Sequence, residues 1–238
     1  MEKINTILFD LDGTLLPIDT MELTYRYIAL LAEDFADLYE DKKALSARVL
    51  KACEAMIKDG NGKDVNIDLF FRDFMKQDPH DEALIVKRFE EFYINRFDEI
   101  KTILRTDREE GLTKRVMDYV FQKGYEVVIA TNAVFPELAM GKRLKWVDIG
   151  PDQYDYALIT HCENMHYAKP DIRYYEEILQ KIGKKPEECF MIGNDMLEDL
   201  IAKKLGIKTY LATDYVIPRD VLIEPDYEGE FIDLFNIL

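Results

Sequence analysis

The sequence predicts an α/β protein: a parallel sheet flanked by helices, interrupted after its first strand by an all-helical insert. Three observations carry this. Residues 4–11 form an apolar run ending in acids, the pattern of a parallel strand buried on both faces. Between about residues 17 and 104 the periodicity is helical and no convincing strand intervenes. From about residue 105 onward apolar runs alternate with helical stretches, an order that gives right-handed crossovers and a parallel sheet.

Taken in order, the insert opens at Asp19, an N-cap with Glu22 three residues later, a variant of the capping box. Met21, Tyr25, Ile28, Leu31, Phe35 and Leu38 then make one apolar stripe. A second helix is expected over 42–58, stopping at Gly60, where residues 59–63 read as a loop. Helical patterns resume over 66–77 and 81–97, separated by Pro79. After the insert a helix is expected over 108–123, closed by Gly124. Strands follow near 126–131, 156–160, 189–192 and 208–212, with helices near 136–145, 171–182 and 196–205 between them. The tail from Thr213 is broken by Pro218 and Pro225, and 231–238 reads as a short helix against the core. The expected division is a core of residues 1–16 and 105–238 and a helical unit of 17–104.

A chain of 238 residues suits such a core with a smaller insert, and at 48% hydrophobic and 12% aromatic residues it has the apolar surface to fold. The formal net charge of −16 repels nucleic acid, and no basic cluster offers a binding face. It would equally repel a small phosphorylated molecule, so any site for one needs strong local positive charge. Cys53, Cys162 and Cys189 form no CxxC pair, and an odd, sparse count fits a reducing compartment. With no basic leader and no apolar run long enough for a bilayer, the expectation is a soluble cytoplasmic protein with no nucleic-acid or membrane partner. Oligomeric state is left open.

Four segments carry the chemistry. The first strand delivers Asp10 and Asp12 into a turn at Gly13, at the carboxyl edge where open α/β sheets place their ligand crevice. Two acids there need a reason to stay charged, and a hard cation with oxygen ligands supplies one. A second apolar run, from Val127, ends at Thr131 and Asn132. Lys169 precedes Pro170 and Asp171 at the head of a helical pattern. A third apolar run, from Phe190, ends in Asn194, Asp195, Glu198 and Asp199.

In this order the four segments resemble the four motifs of the haloacid dehalogenase (HAD) superfamily, over about residues 4–16 and 105–212. The resemblance implies a HAD-like, Rossmann-like core with a helical cap of the first type, and a Mg²⁺-dependent phosphatase acting on a small phosphorylated metabolite. It implies Asp10 as the nucleophile that forms an aspartyl-phosphate, and Asp12 as general acid and base. Thr131 and the Asn132 amide would hold phosphoryl oxygens, and Lys169 would neutralise nucleophile and phosphate. The metal would sit on Asp10, Asp12 and the fourth motif, with Asp199 orienting its waters. The fourth motif departs from the family: the usual acid is Asn194, followed by Asp195, so either of the two is the ligand.

Within the superfamily a phosphosugar mutase would share all four motifs. A dehalogenase is disfavoured by Asp12, because a halide leaves without a proton. A binding module that kept the fold and lost turnover is the remaining alternative. Thr20, Glu22, Tyr25 and Arg26 follow the first motif closely enough to be substrate contacts. His161, Cys162, Glu163 and His166 are grouped before Lys169, but their spacing fits no common zinc pattern, and they read as loop residues.

Overall fold

The computed structural model describes residues 4–238; the first three residues of the expected core segment lie outside it. Six strands, β1 (Thr6–Phe9), β2 (Glu126–Ile129), β3 (Leu158–Ile159), β4 (Cys189–Gly193), β5 (Lys208–Ala212) and β6 (Tyr227–Gly229), form one sheet in the order β3-β2-β1-β4-β5-β6. Every pairing is parallel. β1 is therefore central, and the order reverses about it, which opens a crevice outside its carboxyl end.

The apolar runs are explained by burial on two faces. Ile7 and Phe9 belong to one core cluster and Leu8 to the other, the period-2 alternation of a strand covered on both sides. The first face packs against α5 (Leu112–Gln122) through Val116, Met117 and Val120, and against Phe231 and Leu234 of the tail. The second face is covered by α7 (Ile172–Ile182) through Tyr174, Tyr175 and Ile178. Between them in the chain lies α6 (Glu137–Trp146).

Four helices stand between β1 and α5: α1 (Thr20–Asp34), α2 (Lys42–Lys58), α3 (Asn66–Phe74) and α4 (Glu82–Asn95). The side chains of Asp19, Asp41 and Asp81 accept hydrogen bonds from the first-turn amides of α1, α2 and α4, each worth about 1 kcal/mol. α3 has no such cap. Its first residue instead ties it to the sheet: Asn66 Nδ2 donates to the carbonyls of Ala133 (3.0 Å) and Tyr167 (3.2 Å).

The structure corrects the expectations at four places. The first helix ends at Asp34, so Phe35 and Leu38 pack from a following turn. α5 begins at Leu112, because Arg108 is drawn back to the Thr14 carbonyl instead of starting a helix. The helix expected over 196–205 is a 3-10 helix at Leu200–Leu205; before it, the Asp195 carboxylate takes the Leu197 and Glu198 amides in a turn of its own. β6 was not foreseen. A closing helix, α8 (Leu234–Ile237), follows it.

Candidate active site

Asp10 is the first residue beyond β1, and its amide continues the ladder to the Ile192 carbonyl at 2.9 Å. The chain then turns back on itself: the Leu16 amide reaches the Leu11 carbonyl at 2.8 Å. Gly13 makes that turn possible, with a φ of +84°. A Cβ on Gly13 would lie 2.2 Å from Asn194 Nδ2, so the glycine also lets the first and fourth motifs touch.

Lys169 enters from the loop before α7, and its peptide bond to Pro170 is cis. The side chain is 1% exposed, with Nζ 2.9 Å from Asp10 Oδ1 and 2.6 Å from Asp199 Oδ1. Burial alone would lower the lysine's pKa; the two carboxylates overcome that and hold it well above its ordinary value. Burial pushes Asp10 the other way, upward, with Asp199 and Asp12 adding to the effect and the Lys169 charge opposing it. A buried ammonium shared by two acids keeps the positive charge at the first motif.

Asn194 follows the buried strand β4. Its amide faces the Tyr215 carbonyl at 2.6 Å, and a carbonyl only accepts, so the nitrogen is on that side. Oδ1 is thereby turned to Thr14 Oγ1 at 3.3 Å, and that hydroxyl lies 3.5 Å from Asp10 Oδ2. Asp195 is differently engaged. Arg219 grips its carboxylate, Nε at 3.0 Å and Nη2 at 2.5 Å from Oδ2, while Oδ1 takes the Leu197 and Glu198 amides at 2.8 and 3.0 Å. Although burial works against it, these bonds hold Asp195 below the usual carboxylate range. Its own amide donates to Asp199 Oδ2 at 2.9 Å, which steadies the acid that steadies Lys169.

Thr131 and Asn132 follow β2, beside β1. The Thr131 carbonyl is pinned by the Tyr174 hydroxyl (2.6 Å) and Thr160 Oγ1 (2.8 Å), and Asn132 Nδ2 reaches Glu198 Oε2 at 3.0 Å. The predicted residues thus meet at one edge of the sheet, with Asp195 turned to Arg219. The sequence reading missed Arg143. It is fully buried on α6, lies 4.4 Å over the Phe135 ring, and donates from Nη1 to Asp12 Oδ2 at 2.5 Å. Asp12 Oδ1, buried, has no partner among the described residues. A single arginine in a helical stretch gives no signal of such a contact. Thr14 and Glu198, by contrast, sit inside the motifs themselves.

The grouped residues before Lys169 separate. His166 pairs with Glu177 at 2.8 Å, and Cys162 faces the cavity above the site. His161 and Glu163 come together with Glu137, which the sequence did not group with them, their ligand atoms within 4.8 Å of one another. Of the four candidate substrate contacts only Thr20 lines the cavity; Glu22 pairs with Arg105, and Tyr25 and Arg26 are exposed.

Fold and site define an α/β protein with acids at the carboxyl edge of its parallel sheet and a helical insert above them. The sequence pattern of the haloacid dehalogenase-like hydrolases matches residues 4–206, and the chain belongs to that family. It is 26% identical over 242 residues to the protein named pyrophosphatase PpaX of Bacillus cereus, covering 99% of this chain and 97% of that one. In fold it is similar to a protein of Haemophilus somnus described as a predicted phosphoglycolate phosphatase, at 18% identity and a TM-score of 0.56, covering 100% and 99% of the two chains. It is likewise similar to magnesium-bound YfnB of Bacillus subtilis, at 21% identity and a TM-score of 0.57, covering 99% of each.

Proposed function

We propose that this hydrolase is a Mg²⁺-dependent phosphatase that cleaves a small phosphate monoester through an aspartyl-phosphate on Asp10. The observation that carries the reading is the set around Asp10: a carboxylate at the end of the central strand, a buried Lys169 at 2.9 Å, and Asp12 two residues on with a buried oxygen lacking a partner among the described residues. The names of relatives speak of pyrophosphate, an anhydride, and phosphoglycolate, a monoester, and both support transfer of a phosphoryl group to water.

In this reading an Asp10 oxygen attacks phosphorus, and the bond to the leaving alkoxide breaks. Asp12 gives the alkoxide its proton, then takes one from the water that attacks the aspartyl-phosphate, releasing orthophosphate and restoring Asp10. Lys169 and the Thr131 hydroxyl offset the charge on the equatorial oxygens, and Asn132 adds an amide. The donor set fits a hard divalent cation: an Asp10 oxygen, with Asp12 beside it, and Asn194 Oδ1, which its bond to Tyr215 turns toward Thr14 and Asp10; Asp12 Oδ1, free of the Arg143 pair, is kept for the proton. Asn194 is the better candidate than Asp195, whose oxygens are occupied by Arg219 and two amides. Bound there, Mg²⁺ would supply charge stabilisation for the transferring phosphoryl group. Asp199 would act through Lys169 and the Asp195 amide.

The reading keeps residues 17–104 as a cap over a core of 1–16 and 105–238, and a cytoplasmic location, which the three free thiols favour. Among the described residues no helix is long and apolar enough to cross a membrane. The test is phosphate release from p-nitrophenyl phosphate by the wild type and by Asp10→Asn. Turnover is expected to fall to background in the variant while its circular dichroism is unchanged. Wild-type rates in folded Asp10→Asn would overturn the nucleophile.

A further inference from the structure

Between the sheet edge and α1–α4 lies a cavity of about 560 Å³, within the range of small-molecule sites. Asp12, Asn132 and Glu198 are among its lining residues, so it is continuous with the candidate site. Most of its wall is hydrocarbon, with the rings of Tyr27, Phe70, Phe71, Phe89, Tyr93 and Phe135 prominent. These rings brace one another edge to face, as in Tyr27–Phe135 at 5.2 Å and Phe70–Phe89 at 5.4 Å between centroids.

Several of the polar groups in that wall are already engaged within the protein. The hydroxyls of Tyr27 and Tyr93 share a hydrogen bond of 2.9 Å, and Thr24 Oγ1 donates to the Thr20 carbonyl at 2.9 Å. Lys58 is the one cation in the lining among the described residues, and Glu54 takes it. The remaining charges there, Glu90 and Glu163 with Asp12 and Glu198 nearer the sheet, are acids. A second phosphate or a carboxylate on the leaving group would find repulsion in this space. Apart from the acids and Asn132, the wall offers a sugar's hydroxyls no acceptors among the described residues, so those set against the rings and aliphatic side chains would lose water uncompensated, which costs binding free energy.

We infer that the substrate is the phosphate monoester of a largely hydrocarbon alcohol, its apolar body seated among α1–α4 and its phosphate at Asp10. This rests on the phosphatase reading and narrows it: the cavity selects the leaving group by burying apolar surface, and the only anion it accommodates is the phosphate at the sheet edge.

The experiment is kcat/KM for the full chain with Mg²⁺ over n-alkyl phosphates from methyl to octyl, beside pyrophosphate, phosphoglycolate and glucose 6-phosphate. Each added methylene is expected to raise kcat/KM about fourfold until the cavity is filled. The three polar substrates are expected at or below methyl phosphate. Competitive inhibition by the n-alkanols should strengthen along the same series. A flat alkyl series, or a polar substrate turned over faster than octyl phosphate, would overturn the hydrocarbon assignment and leave the phosphatase standing. Absence of phosphate release from every ester, p-nitrophenyl phosphate included, would overturn the phosphatase reading and this inference with it.

Discussion

At Asn194 a single amide stands where the family carries an acid, and its neighbour decides what that means. Asp195 looks in sequence like a displaced ligand, yet its carboxylate closes a turn and binds Arg219. Asn194→Asp is therefore expected to lower the Mg²⁺ concentration that gives half-maximal turnover, since a charge about 4 Å from a divalent ion attracts it even at high effective dielectric. Asp195→Asn should leave that concentration within about threefold while lowering stability, because charged hydrogen bonds of this kind contribute about 1.5–3 kcal/mol. Magnesium titrations of turnover for both variants check this, and the reverse ranking would make Asp195 the ligand. Asp10, Thr131 and Asn194 were legible because each lies just past a buried apolar run, whereas Lys169, from the loop before α7, was legible only through its order among the four segments. Arg143 was illegible because its partner, Asp12, is 131 positions away and no periodicity links them.

Among the elements, the helices were legible where a side-chain cap and an apolar stripe coincide, as in α1 with Asp19 and α2 with Asp41. They were not where local bonds compete, as at Asp195 before the 3-10 turn. β6 was hidden because it is a three-residue edge strand, partly facing water, and shows no apolar run; β5 sets its register. The helical insert carries its own pH dependence at Asp78. This acid follows the 3-10 turn after α3, its side chain is shut off from solvent, and it accepts from Tyr39 (2.6 Å), Arg48 Nη1 (2.6 Å) and the His80 amide (2.9 Å). Burial opposes the charge, but these bonds hold the carboxyl below its ordinary value of 3.8. A depressed acid stabilises the fold above its unfolded value and ceases to do so as pH falls through the folded one. Asp78→Asn should cost about 2 kcal/mol at pH 7 and progressively less below pH 4, read from urea midpoints. An equal cost at pH 7 and pH 3 would show that the charge is not what matters.

For the whole molecule the question is how a chain of net charge −16 handles a phosphate ester. Its long-range field repels such a ligand, so on the proposed function attraction would come from Lys169 and a bound cation within a Debye length of about 8 Å. If Mg²⁺ binds the folded site, it also binds against unfolding: at 100 times Kd it adds about 2.7 kcal/mol, or about 5–10 °C in melting temperature for a domain of this size. Thermal melts with Mg²⁺ and with EDTA measure this without any turnover, and Asp10→Asn should shrink the difference. Identical melting curves in both would remove the metal from the proposal.

The tail has a consequence for where this enzyme can be cut. Ile217 pairs with the fourth-motif loop on both sides, its amide to the Asn194 carbonyl at 2.8 Å and its carbonyl to the Met196 amide at 3.2 Å. Tyr215 orients the Asn194 amide, and Arg219 holds Asp195. All of this lies beyond residue 206, where the family pattern stops matching. A chain trimmed at residue 213 would retain all four motifs and strands β1–β5, and it should still lose phosphate release, because it loses both the strap that fastens the fourth motif and the buried Phe231 and Leu234 that cover the sheet. Full activity in the trimmed chain would mean that the strap is dispensable. The shortest stretch that carries the family's signature is thus expected to be shorter than the shortest stretch that works.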